Sequence, residues 1–142
     1  MYRKILVVLE NSRADQSFLP QISQLARQLG SELLLVHVAD GWVARNYDRL
    51  KLIESEEMLE DRRYLEETAA KLRSSGMTVT VRLALGDPPG EILNAAEEGN
   101  CDLIAMTSHG HRLLGDIVFG STIDKVRHRS TIPLFIVRAT KA

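Results

Sequence analysis

The sequence predicts an α/β fold: a parallel sheet of five strands with helices covering both faces. Three observations carry this. Short apolar runs alternate along the chain with longer stretches at helical spacing. The resulting order, β-α-β-α-β-α-β-α-β, requires crossover connections, which belong to parallel strands and are right-handed. The runs at residues 5–9 and 33–38 are nearly continuous in apolar character, as strands buried on both faces are. No repeat, low-complexity tract or interdomain linker interrupts the pattern, and 142 residues suit one domain, expected to span residues 1–142.

The first strand is expected at residues 5–9. Phe18, Ile22, Leu25 and Leu29 then recur at helical spacing, and Gly30 stops that helix. Pro20 falls early in it, where it is tolerated in the first turn or makes a kink. The second strand covers residues 33–38. Residues 39–51 are polar and irregular, with Trp42 and Tyr47 among them. A long charged helix follows, carrying Met58, Leu65, Ala69 and Leu72 on one face and ending at Gly76. Residues 77–85 alternate in part through Val79, Val81 and Leu83, which suits a strand with one wetter face. The run Gly86-Asp87-Pro88-Pro89-Gly90 is a turn from which Pro89 opens the next helix. That helix passes through Ile92, Leu93 and Ala96 to Gly99. Residues 102–106 form the fourth strand. A glycine-bearing loop and a short helix around Ile123 and Val126 follow, and residues 133–137 form the fifth strand.

Composition narrows the function classes. Eighteen basic residues against nineteen acidic ones leave a formal net charge of −1, so no global basic field exists to hold nucleic acid or an anionic membrane. The single cysteine, Cys101, forms no internal disulfide and reads as a small buried filler in a reducing compartment. The apolar run near the N-terminus is too short for a secretory h-region or a membrane span, and a cytoplasmic protein is expected. The P-loop pattern is absent, and no Cys/His group has zinc spacing. His37 closes a strand and reads as structural. The acidic run at residues 54–61, followed by Arg62 and Arg63, reads as an exposed helix face with i,i+4 pairs. The basic run at residues 125–129, which includes His128, suits a helix C-terminus.

In open parallel sheets, ligands bind beyond the carboxyl ends of the strands, where the strand order reverses. The loops after strands one and four therefore draw attention, above all the one after strand four. It reads Thr107-Ser108-His109-Gly110-His111-Arg112-Leu113-Leu114-Gly115-Asp116-Ile117-Val118-Phe119-Gly120-Ser121-Thr122. Glycines let a backbone approach a ligand closely. Gly120-Ser121-Thr122 is expected to open a helix, where free N–H groups and the dipole favour an anion, and the two hydroxyls add donors. His109, His111 and Arg112 supply local positive charge. The alternative is an ordinary N-cap with turn glycines.

The same segment resembles the signature of the universal stress protein family: glycine, two residues, glycine, nine residues, then glycine with Ser or Thr. Gly110 and Gly120-Ser121 fill the last two positions. Further landmarks agree: residues 3–7, His37-Val38, Gly86-Asp87-Pro88 with Glu91-Ile92, residues 102–104 and residues 133–137. The resemblance implies a three-layer, Rossmann-like sandwich of the adenine-nucleotide α-hydrolase kind, with strand order 3-2-1-4-5. It implies ATP as ligand, with magnesium carried by the nucleotide. By position Gly110, Gly120, Ser121 and Thr122 would take the phosphates, with Ser108, His109 and His111 near them, and Val8, Glu10 and Val38 would hold adenine and ribose.

Two positions depart from the family pattern. Thr107 stands where the first motif glycine is expected, and its side chain would either crowd the ligand or point away. Glu10 stands where the family has Asp. Only Glu10 and Asp116 are carboxylates near the expected site, and neither is placed as a hydrolytic base, so at most very slow ATP hydrolysis is expected. The resemblance thus implies a cytoplasmic ATP-binding sensor or regulator of the stress response. The alternatives are an interaction protein of the same fold with a vestigial site, and an enzyme of the related nucleotide-binding group. In the order 3-2-1-4-5 the last strand is an edge. Its apolar run at residues 134–137 then predicts a homodimer joined through residues 133–138.

Overall fold

A computed structural model describes residues 1–39, 51–108 and 113–138. Its elements are β1 (Lys4–Val8), α1 (Ala14–Leu29), β2 (Glu32–Ala39), α2 (Lys51–Ser74), β3 (Val79–Leu85), α3 (Pro88–Glu98), β4 (Leu103–Ser108), α4 (Leu113–Arg129) and β5 (Leu134–Arg138). The strands form one parallel sheet in the order β3-β2-β1-β4-β5. Val7 of β1 pairs with Leu35 on one side and Ala105 on the other. The sheet winds outward in opposite directions from β1, so the reversal falls between β1 and β4.

Alternation along β1 explains its uninterrupted apolar run. Ile5 and Val7, continued by Leu9, face a core closed by Phe18, Ile22 and Ala26 of α1 and by Leu65 and Ala69 of α2. Leu6 and Val8 face a second core closed by Ile92, Ala95 and Ala96 of α3 and by Val126 of α4. A strand with two dry faces has no place for a polar residue. Each large side chain so enclosed contributes about 1.5–3 kcal/mol. Cys101 belongs to the second core, as its reading as filler requires, and burial pushes its thiol up.

The ends of the elements follow from local chemistry. Gly30 takes a left-handed φ of 70° and ends α1, with its N–H turned back to the last carbonyls. Helix α1 begins earlier than the apolar spacing suggests, so Pro20 lies inside it rather than in its first turn. A proline there has no N–H to give the Gln16 carbonyl. Prolines 88 and 89 occupy the opening of α3, where a missing N–H costs nothing. The start of β4 is fastened to the start of β1 by Asp102, whose two carboxylate oxygens accept the N–H groups of Arg3 at 3.0 Å and Lys4 at 3.1 Å.

At one margin of the sheet, β5 leaves Phe135 38% and Ile136 40% exposed while Val137 is buried. The other margin, β3, has the wetter character expected of it, with only Val79 and Ala84 buried. Trp42 and Tyr47 lie outside the described residues.

Candidate functional site

The carboxyl ends of β1 and β4 flank the reversal in strand order, and the two loops that leave them carry the candidate site. Beyond β1 the chain turns through Glu10 and Asn11, and Asn11 takes a left-handed φ of 58°. Asn tolerates that conformation better than most residues. The turn is held by Asp15, in the first turn of α1. Its carboxylate is 1% exposed and accepts the N–H groups of Glu10 at 3.1 Å and Asn11 at 2.8 Å. Tyr64 of α2 donates its hydroxyl to the same carboxylate at 2.5 Å. Burial first, and the neighbouring Asp15 second, push the Tyr64 phenol far above its ordinary range, so it remains a donor. A buried carboxylate requires such donors, because an unpaired one would be prohibitively costly.

A second set of contacts braces the same turn. The Asn11 side-chain amide donates to Asp61 of α2 at 3.0 Å. Asp61 also lies 3.5 Å from His37 Nε2. His37 Nδ1 donates to the Leu9 carbonyl at 2.9 Å, and since a carbonyl only accepts, Nδ1 carries the proton. The turn after β1 is thereby fixed from α1, α2 and β2 together. His37 has a positional role, as read from the sequence.

Across the reversal, Thr107 at the end of β4 is 0% exposed and donates its hydroxyl to Glu10 Oε2 at 2.6 Å. Its side chain turns toward β1, and the bond spans the two strands that flank the crevice. Ser108, the last residue of β4, is half-buried. Val8 and Val38 sit near the carboxyl ends of β1 and β2. Val8 is enclosed in the core under α3 and α4, and Val38 is half-buried at its margin. His109, Gly110 and His111 lie outside the described residues.

The reading of Gly120-Ser121-Thr122 as a helix opening needs correction. Helix α4 starts at Leu113, so these three residues lie in its body. Their N–H groups are spent on carbonyls one turn earlier and do not form a free anion cradle. The glycines at 115 and 120 each cost about 1 kcal/mol relative to alanine, and no proline occurs between residues 113 and 129 to stop the helix. The short helix expected around Ile123 and Val126 is the last part of this longer one. Ser121 is exposed and Thr122 is buried.

Asp15, Asp61 and Tyr64 were not among the residues singled out from the sequence, and Asp61 was expected on a solvated face. The available signals were an acidic residue in the first helical turn after a strand, and a tyrosine beside the apolar stripe of α2. Neither names its partner, because Tyr64 and Asp15 lie 49 positions apart. A separate groove of about 880 Å³ runs from this network between α1 and α2 toward Arg27 and Lys71. Among the described residues, no group of three His, Cys, Asp or Glu side chains is placed to hold a metal ion. No described helix is long and apolar enough to cross a membrane.

Comparison with known proteins adds the following. The model of the universal stress protein family matches residues 1–138. Universal stress protein YxiE of Bacillus subtilis is 30% identical over an alignment of 148 positions, which covers 97% of this chain and 100% of that protein. The solved structure of MJ0577, whose curated counterpart is a universal stress protein of Methanocaldococcus jannaschii, superimposes with a TM-score of 0.85 at 26% identity, covering 100% of this chain and 99% of that one. Two more distant structures share the fold. A universal stress protein in complex with cAMP has a TM-score of 0.68 at 18% identity, covering 98% of each chain. The Archaeoglobus fulgidus protein in complex with dAMP has a TM-score of 0.64 at 23% identity, covering 96% of this chain and 98% of that one.

Proposed function

The chain belongs to the universal stress protein family, and from that premise we propose that it binds ATP with magnesium at the crevice between β1 and β4 and acts in the cytoplasm as a sensor or regulator of the stress response. The observation that carries this is the Thr107–Glu10 bond, which spans the reversal in strand order at 2.6 Å. A carboxylate held at the carboxyl ends of the strands is suited to accept ligand hydroxyl groups where such sheets bind ligands. The cAMP and dAMP complexes of two proteins of this fold support an adenine nucleotide as the ligand class. Val8, Glu10 and Val38 are the proposed adenosine end of the site. Thr107 joins the adenosine end through its bond to Glu10, and Ser108, His109, Gly110, His111, Gly120, Ser121 and Thr122 are the proposed phosphate end. Of the last three, Ser121 offers an exposed hydroxyl. Hydrolysis of the bound ATP is expected to be very slow, since no P-loop lysine and no identified base serve it.

Titration calorimetry with ATP and magnesium tests the proposal, together with mass spectrometry of gently purified protein. Saturable heat, or co-purified adenine nucleotide, is the expected result. No heat at millimolar ATP and no carried nucleotide would favour the second reading, an interaction protein with a vestigial site. Thr107 in the place of a motif glycine is the observation that favours that reading. We further propose a homodimer paired through β5, supported by the exposure of Phe135 and Ile136 on an edge strand.

A further inference from the structure

We propose that Thr107 is a positioning residue for Glu10: its hydroxyl fixes the Glu10 carboxylate across the β1–β4 crevice, and the two residues act as one unit in setting nucleotide affinity. The inference rests on the nucleotide reading above and deepens it. From the sequence, Thr107 and Glu10 are two unrelated departures from a pattern. In the structure they are donor and acceptor of one bond.

The geometry makes the coupling specific. Thr107 is 0% exposed, so its hydroxyl has no water to turn to and needs a protein acceptor. The acceptor is Glu10 Oε2 at 2.6 Å, the distance of a charge-assisted O–H···O⁻ bond. A β-branched side chain has few χ1 choices, so the hydroxyl is held in direction as well as in place. Glu10 is fixed at its other end too, because its N–H donates to Asp15 at 3.1 Å. Glutamate otherwise loses considerable rotamer freedom when a ligand immobilises it. Here backbone and carboxylate are both tied down beforehand, so little ordering remains to oppose binding.

Five proteins test this: wild type, Thr107→Val, Thr107→Ser, Glu10→Ala, and Thr107→Val combined with Glu10→Ala. Valine keeps the shape and removes the hydroxyl, whereas serine keeps the hydroxyl. Calorimetric titration with ATP and magnesium is expected to show Thr107→Val weakened about tenfold or more, and Thr107→Ser within about threefold of wild type. In the Glu10→Ala background the valine substitution is expected to change affinity no further. A merely structural threonine would weaken binding equally in both backgrounds, and that result overturns the proposal. So does a Thr107→Val protein that binds ATP as tightly as wild type. Urea unfolding of the same proteins measures the bond without any ligand, and strict additivity of the two substitutions there also overturns it. If wild type itself takes up no ATP, the nucleotide reading falls and the affinity half of this proposal with it. The unfolding cycle then decides whether Thr107 holds Glu10.

Discussion

Replacing Asp15 by alanine removes a carboxylate that is 1% exposed and accepts three hydrogen bonds, from the N–H groups of Glu10 and Asn11 and from the Tyr64 hydroxyl. The two N–H groups lose their partner in a part-buried turn, at about 1–3 kcal/mol each. The half-buried Tyr64 hydroxyl reaches water more readily. Relief from burying a charge offsets part of the loss. The net cost expected is about 3–5 kcal/mol, within the sum for two stranded N–H groups. That is a large share of the roughly 5–15 kcal/mol that holds a domain folded, and at about 2–4 °C per kcal/mol it lowers Tm by roughly 10 °C. Urea unfolding followed by circular dichroism at pH 7 measures it directly. Tyr64→Phe removes one of the three donors and is expected to cost about 1.5–3 kcal/mol. The double variant should cost less than the sum, because both substitutions break the same bond. A loss below about 1 kcal/mol for Asp15→Ala, or additivity with Tyr64→Phe, would refute the role given to this carboxylate.

Two further outcomes are expected. Desolvation raises the Asp102 carboxyl, but the N–H groups of Lys4 and Arg3 outweigh it and hold the carboxyl below its ordinary range. A folded value below the unfolded one means that the stabilisation is present above the unfolded value of about 3.9 and is lost as pH falls through the folded value. Asp102→Asn should therefore be less stable than wild type at pH 7, with a gap that closes in acid; a gap independent of pH in urea unfolding contradicts the assignment. If β5 pairs across a two-fold axis, light scattering at micromolar concentration gives twice the chain mass of 15.9 kDa for wild type, and Phe135→Lys gives the single mass or insoluble protein. A wild-type monomer rules the pairing out.

The residues themselves specified the sheet, its helices and most of its boundaries, because each strand's burial is a local property. A run such as Ile5-Leu6-Val7-Val8-Leu9 has one stable use, a strand with two dry faces, and Gly30 marks a helix end by its own backbone freedom. Strand order was not legible in that way and came only through resemblance to a family. Pairing between β1 and β4 joins Val7 to Ala105, and no local pattern encodes which of several similar apolar runs become neighbours. The start of α4 is not legible for a local reason: Gly115 reads as loop and Gly120 as a helix opening, whereas one helix holds both.

For the candidate site, sequence determined which residue types were present, and tertiary structure decided what they do to one another. Glu10, Thr107 and His37 were legible as polar residues at strand ends. That Thr107 donates to Glu10, that Asp15 anchors the turn beneath it, and that Tyr64 and Asp61 reach over from α2 appears only once the chain is folded. The reason is physical. Hydrophobic periodicity is written in neighbours three or four positions apart, whereas a hydrogen bond between side chains 97 positions apart depends on how whole elements dock, and docking is decided by the summed packing of two cores rather than by either residue.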